Sequence, residues 1–241
     1  MQLTLPLGIP SKLLQIRDCL LATYGPQRDV LRHDPTEQFV KAIISSCTRD
    51  TVSSAAFERL RAYLPSWDRL PNVDPSTVGA IIRDVTYASE KAADLVGAAR
   101  TIQDKCGRFD LSLLADRSVE DSMPWLRDLH GVGLKVAAAT INFSTLRKRV
   151  LAVDRHVLRV SQRLGLLSEK TGFERGFHML MRLVPDDWDA DDLYELHWLI
   201  KLHGQTRCSY SQPVCSGCSL ALLCLHSRVS AKDGRTNHRA L

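Results

Sequence analysis

Four cysteines fall within the stretch "CSYSQPVCSGCSLALLC": Cys208, Cys215, Cys218 and Cys224, spaced C-x6-C-x2-C-x5-C. Four thiolates in one short loop can wrap a single tetrahedral or cubane centre. Zinc ribbons usually pair two C-x2-C knuckles and only one is present here, so the spacing favours an iron–sulfur cluster, with zinc as the rival. Cys19, Cys47 and Cys106 lie far apart and read as small core residues. A second feature is "DLHGVGLKVAAATI", which sets Lys135 two residues after a Gly131-Val132-Gly133 turn. A cation in the first turn of a helix opposes the helix dipole, and partial burial would further favour the free amine. An unprotonated lysine is a nucleophile able to form Schiff bases. The same residue could instead snorkel to solvent or touch a phosphate.

The third feature is "VLAVDRHVLRVSQRLGLL". Asp154 follows an apolar run and opens a helix, so it reads as an N-cap, and a carboxylate held there could also stabilise cationic charge developing on a sugar. Arg155, Arg159 and Arg163 recur every fourth residue and predict one basic stripe. From Arg127 to Arg163 the sequence has eight Lys/Arg against two Asp. The net charge of +5 is thus concentrated around the glycine turn, as a phosphate-contacting surface requires. Amide groups left open by the two glycines at a helix start add a natural phosphate seat.

These residues need helices to position them, and helical periods dominate, so the expected fold is all-α. "DPTEQFVKAIISSC" predicts a helix capped by Asp34, with Pro35 in the first position, a capping box closed by Glu37, and a buried stripe of Phe39, Val40, Ile43 and Ile44. "SEKAADLVGAARTIQDKCG" predicts another, with Ser89 as cap, Ala92, Leu95, Ala99 and Ile102 on the apolar face, and Gly107 as stop. "MPWLRDLHGVGLKVAAATINF" reads as helix, tight turn, helix, and "VPDDWDADD" leads into the last long helix. At 241 residues, 44% hydrophobic and 24% charged, the chain can bury a real core. No apolar run approaches the roughly 20 residues a membrane span needs, and the N-terminal stretch does not read as a signal peptide. The expectation is a cytoplasmic protein (nucleoid-associated if bacterial) with reduced thiols.

Taken together, "LHGVGLK", "AVDRHVLRVSQRLGL" and the cysteine loop resemble the helix-hairpin-helix DNA glycosylases, and among them the endonuclease III family, over roughly residues 30 to 226. The resemblance implies a two-lobed fold with damaged duplex DNA bound between lobes, the helix-hairpin-helix lying at about residues 120–145. Residues 36–148 would form a six-helix barrel, residues 1–35 with 149–225 a lobe holding a [4Fe-4S] cluster on Cys208, Cys215, Cys218 and Cys224, and residues 226–241 a mobile basic tail. It implies base flipping, attack by Lys135 on the anomeric carbon, strand β-elimination through a Schiff base, and Asp154 as the stabilising carboxylate. Gly131, Val132, Gly133, Arg155, Arg159 and Arg163 would contact DNA, and the chain would act as a monomer away from membranes. Ser46, Cys47, His130 and His156 would border the flipped base. His130 stands where the family usually has proline, Cys47 where endonuclease III has a gap-filling glutamine, and Val136 where threonine is usual. "GRFDLSLL" and "LYELHWLIKLHGQTRC" also look similar to DEMETER-type enzymes, which excise 5-methylcytosine. Rival readings are a non-catalytic lesion-binding module and a zinc-stabilised regulator.

Overall fold

The computed structural model describes residues 9–28 and 31–232, and every regular element among them is helical. Eleven α-helices follow one another: α1 (Ile9–Tyr24), α2 (Pro35–Ser45), α3 (Asp50–Tyr63), α4 (Pro75–Ile81), α5 (Ala88–Cys106), α6 (Val119–Arg127), α7 (Leu134–Phe143), α8 (Arg155–Arg163), α9 (Phe173–Leu183), α10 (Ala190–Thr206) and α11 (Leu225–Lys232). The chain divides into two compact units, residues 31–152 and residues 1–30 with 153–241.

In the unit of residues 31–152, α2 is the central element and packs against α3, α5 and α7. Its start is written in the sequence: the Asp34 carboxylate accepts the backbone N–H groups of Thr36 (2.8 Å) and Glu37 (3.0 Å), and Pro35 occupies the first turn. The Glu37 side chain does not close a capping box. It turns to His33 Nδ1 (2.8 Å) and Arg61 Nε (3.1 Å), because two side-chain partners, one of them a guanidinium, compete with one backbone amide. Phe39, Val40, Ile43 and Ile44 are fully buried, as are Phe57 and Leu60 of α3 and Leu95, Ala99 and Ile102 of α5. Each such side chain contributes roughly 1.5–3 kcal/mol of burial, and this shared core holds the helix ends in place.

Helix α5 begins at Ala88 rather than at a Ser89 cap; Tyr87, left-handed at φ 58°, holds the cap position and offers no side-chain bond. Gly107 ends it in the left-handed conformation, as expected from its lack of a Cβ. Residues 31–35 belong with this unit because Arg32 donates to the Asn142 carbonyl (2.6 Å) and the Thr145 N–H donates to the His33 carbonyl (2.9 Å).

In the second unit α10 packs on α1 and α8, and α11 packs on α8. Asp189 and Asp192 form a reciprocal capping box at the start of α10. Glu195, nearly inaccessible on α10, is neutralised by Arg17 Nη2 (3.1 Å) and Arg28 Nε (3.2 Å). The expected basic tail is helical through Lys232, and residues 233–241 lie outside the described residues. No described helix is long and apolar enough to cross a membrane.

Candidate active site and cysteine loop

Helices α6 and α7 form the two arms of the hairpin read from the sequence. Ser118 caps α6 through the Asp121 N–H (3.0 Å), and Gly131, at φ 76°, supplies the left-handed residue of the turn. A Cβ at Gly131 would lie 2.3 Å from Asp94 Cγ, so the turn rests directly on an α5 side chain. His130 Nδ1 pairs with the same carboxylate at 2.9 Å while most of its imidazole faces solvent. Gly133 caps α7 with no side-chain bond, leaving the first amides of that helix without a side-chain acceptor.

Lys135 occupies the second position of α7 and is half-buried. Its Nζ stands 3.5 Å from Ser45 Oγ, at the C-terminal end of α2. Val136, Ala137 and Ala138 behind it are buried, which fixes the direction in which the lysine leaves the helix. Beyond Ser45 the chain leaves α2 through Ser46, whose hydroxyl donates to the Ile43 carbonyl (2.8 Å), and Cys47, exposed and left-handed at φ 53°. Lys91 of α5 is buried beside this loop, at 6% exposure. Burial, reinforced by the nearby Lys135 and opposed by Cys47, lowers its pKa to about 8. Lys135, Ser45, Ser46, Cys47 and Lys91 therefore converge on one end of α2.

Asp154 opens α8 in the other unit. Its carboxylate accepts the N–H groups of His156 and Val157, both at 2.8 Å, so it caps the helix as its position suggested. Burial works to raise its pKa, but His197, the Val157 N–H, His156 and Lys201 outweigh that, and the carboxyl is held below the ordinary carboxylate range. It is an anion at neutral pH. The His156 pKa is lowered, burial being the largest cause, and Nδ1 of its ring lies 3.1 Å from Arg159 Nη2.

The basic stripe of α8 requires correction, because only Arg155 is exposed. Arg159 donates to the carbonyls of Gly204 (2.8 Å) and Cys208 (3.1 Å). Arg163 donates to the Ser209 carbonyl (2.5 Å), the Tyr210 carbonyl (2.8 Å) and Cys208 Sγ (3.2 Å). Two of three arginines thus fasten the cysteine loop to α8, since unpaired carbonyls at the end of α10 and beyond need donors.

All four expected cysteines line one small cavity, together with Arg163, His203 and Arg207. No preformed metal-holding group of three or more His, Cys, Asp or Glu occurs among the described residues. The donor set nonetheless fits a thiolate-bound centre. Burial and the mutual repulsion of neighbouring cysteines push the thiols of Cys215 and Cys218 up, a charge problem that a cationic centre would relieve.

Residues 40–185 match the family model described as the HhH-GPD superfamily base excision DNA repair protein. The chain belongs to the HhH-GPD superfamily. Among its relatives is a protein from Arabidopsis thaliana whose name marks it as a candidate DNA glycosylase, 27% identical over 194 residues, covering 80% of this chain and 62% of that one. The endonuclease III-like protein 1 of Gallus gallus is 29% identical over 177 residues, covering 73% of this chain and 58% of that one. The chain therefore spans about three-fifths of the length of these two relatives. Endonuclease III of Synechocystis sp. is 29% identical over 198 residues, 81% of this chain and 83% of that one. The HhH-GPD fold itself is seen in a solved endonuclease III–DNA covalent intermediate, with a TM-score of 0.77 at 20% identity, covering 92% of this chain and 98% of that one.

Sequence reading of this HhH-GPD chain did not single out Lys91, Asp94, Ser45 or His197. Lys91 left a trace: it lies four residues before Leu95, inside an otherwise apolar stripe. Asp94 left none, since an acidic residue off that stripe reads as solvent face.

Proposed function

We propose that this chain is a bifunctional DNA glycosylase and AP lyase that removes modified pyrimidines from duplex DNA and carries a [4Fe-4S] cluster. The observation that carries the reading is Lys135, an amine at the start of α7 directly after a glycine turn, in a member of a base excision repair superfamily. In this reading the Lys135 amine attacks the anomeric carbon of the damaged nucleotide. The glycosidic bond breaks, its electron pair leaves with the base, and a proton neutralises the departing base. Loss of the amine proton and opening of the sugar give a Schiff base. Removal of a proton from the adjacent sugar carbon then expels the 3′ phosphate, and water hydrolyses the imine to return Lys135.

Asp154, ionised and fixed by two backbone amides, stabilises cationic charge on the sugar. Gly131 and Gly133 present backbone amides to a phosphate, while the Val132 N–H donates to the Leu129 carbonyl (3.1 Å) and shapes the turn, and Arg155 adds an exposed cation. Ser46, Cys47, His130 and His156 border the flipped base, with Cys47 at the gap it leaves. Cys208, Cys215, Cys218 and Cys224 would hold the cluster, which organises the loop and takes no step in the reaction. The partner is damaged double-stranded DNA met by a monomer. Cys47 and His130 depart from the usual family residues and leave the target base open, and the similarity of "GRFDLSLL" and "LYELHWLIKLHGQTRC" to DEMETER-type enzymes makes a 5-substituted cytosine the second candidate substrate.

The deciding experiment is borohydride trapping on duplexes carrying an abasic site, thymine glycol, uracil or 5-methylcytosine. The wild type is expected to form a covalent adduct with the abasic duplex and with at least one modified pyrimidine, and Lys135→Ala with none. Equal trapping by Lys135→Ala would overturn the lyase assignment.

A further inference from the structure

The end of α2 is held by a residue that the proposed chemistry leaves unused. Lys91 Nζ donates to the Ile44 carbonyl (3.0 Å), to the Ser46 carbonyl and to Thr48 Oγ1 (3.1 Å). Thr48 Oγ1 also accepts the Thr86 N–H (3.2 Å), so one hydroxyl ties the loop after α2 to the loop before α5. Each loop contains a non-glycine residue in the left-handed region, Cys47 at φ 53° and Tyr87 at φ 58°. Such a backbone persists only where its surroundings over-determine it. Both of these residues are exposed, whereas the ammonium that ties their loops together is buried. Between Ile44 and Ser46 in the chain is Ser45, whose hydroxyl faces Lys135 at 3.5 Å.

A buried lysine is an expensive way to satisfy three acceptors that solvent could reach by a small movement of the loop. What the ammonium adds is a fixed position for the residue between those acceptors. We propose that Lys91 is a positioning residue for lesion discrimination: its ammonium clamps the Ser46–Thr48 loop so that Cys47 is displayed beside Lys135. The inference rests on the reading of Cys47 as the residue at the gap left by a flipped base. It assigns no contact with DNA to Lys91 itself. Phosphate-mediated affinity for undamaged duplex should therefore be indifferent to it.

The test compares wild type, Lys91→Met, Thr48→Val and the double variant in two measurements on the full chain. The first is hydrogen exchange of residues 44–50 in the free protein. Exchange there is expected to quicken about tenfold or more in each single variant, with the double variant little worse than either, since both remove the same clamp. The second is binding of a duplex carrying a tetrahydrofuran abasic analogue, compared with an undamaged duplex of the same sequence. The preference for the analogue is expected to fall about tenfold, while undamaged-duplex affinity stays within about twofold. A purely structural loss would lower the active fraction for both duplexes alike. Unchanged exchange, or quickened exchange with the preference intact, would overturn the proposal. A wild type with no preference for the analogue would sink the glycosylase reading, and exchange alone would then decide the clamp. Should Lys91→Met not fold, Thr48→Val carries both measurements.

Discussion

At the scale of single residues, two lysines meet at one end of α2 in opposite settings. Lys135 is half-buried at a helix start, which suits a nucleophile; Lys91 is buried and spends its donors on two carbonyls and a hydroxyl. The cost of the second is visible as pH dependence. Its pKa in the fold is about 8, below the ordinary 10.5. Between those values the unfolded chain binds a proton that the folded chain does not, so stability rises with pH across that window, and below about pH 8 the penalty is fully present. The unfolding free energy of wild type minus that of Lys91→Met should therefore increase from pH 8 to 10.5, measured by urea unfolding; a difference that decreased would mean the fold does not lower this pKa. The positions of Lys135 and Asp154 could be read from the sequence because each sits at a fixed offset from a helix start. Lys91 could not, because its role depends on where α2 ends, and α2 is remote in sequence.

At the scale of elements, the hairpin turn is a contact as much as a conformation. Gly131 needs φ 76° and has Asp94 at 2.3 Å from where a Cβ would be, while Gly133 has extended backbone and no heavy atom within 4 Å of the corresponding point. Gly131→Ala should cost well over about 1 kcal/mol, and Gly133→Ala should unfold at nearly the wild-type temperature. Comparable melting of the two variants would show that α5 does not support the turn. Helix α8 carries the corresponding lesson about periodicity. A repeat every four residues places Arg155, Arg159 and Arg163 on one side of the helix, but it does not say what that side faces. For the last two it faces carbonyls of the cysteine loop and the end of α10.

At the scale of the whole molecule, charge and cysteine chemistry separate along that same helix. Arg155→Ala should lower the slope of log affinity for duplex DNA against log salt by about one. Arg163→Ala should leave that slope closer to wild type while weakening the cysteine loop. Its signature is loss of a broad visible absorbance that dithionite bleaches, the same absorbance Cys208→Ser should abolish. A colourless wild-type protein containing zinc would replace the cluster with the rival metal. The sequence by itself determined the helical class, the cap at Asp34, the glycine turn before Lys135 and the cysteine spacing. Each of these is local: a cap, a turn and a short ligand loop are specified within one or two helical turns of chain. Only the tertiary structure decided that Glu37 serves an ion pair, that Asp94 underlies the hairpin, that Arg159 and Arg163 serve the loop, and that Lys91 binds the Ile44 and Ser46 carbonyls and the Thr48 hydroxyl. Those choices depend on which distant group arrives beside a side chain, and burial then makes an unpaired donor or acceptor too costly to leave.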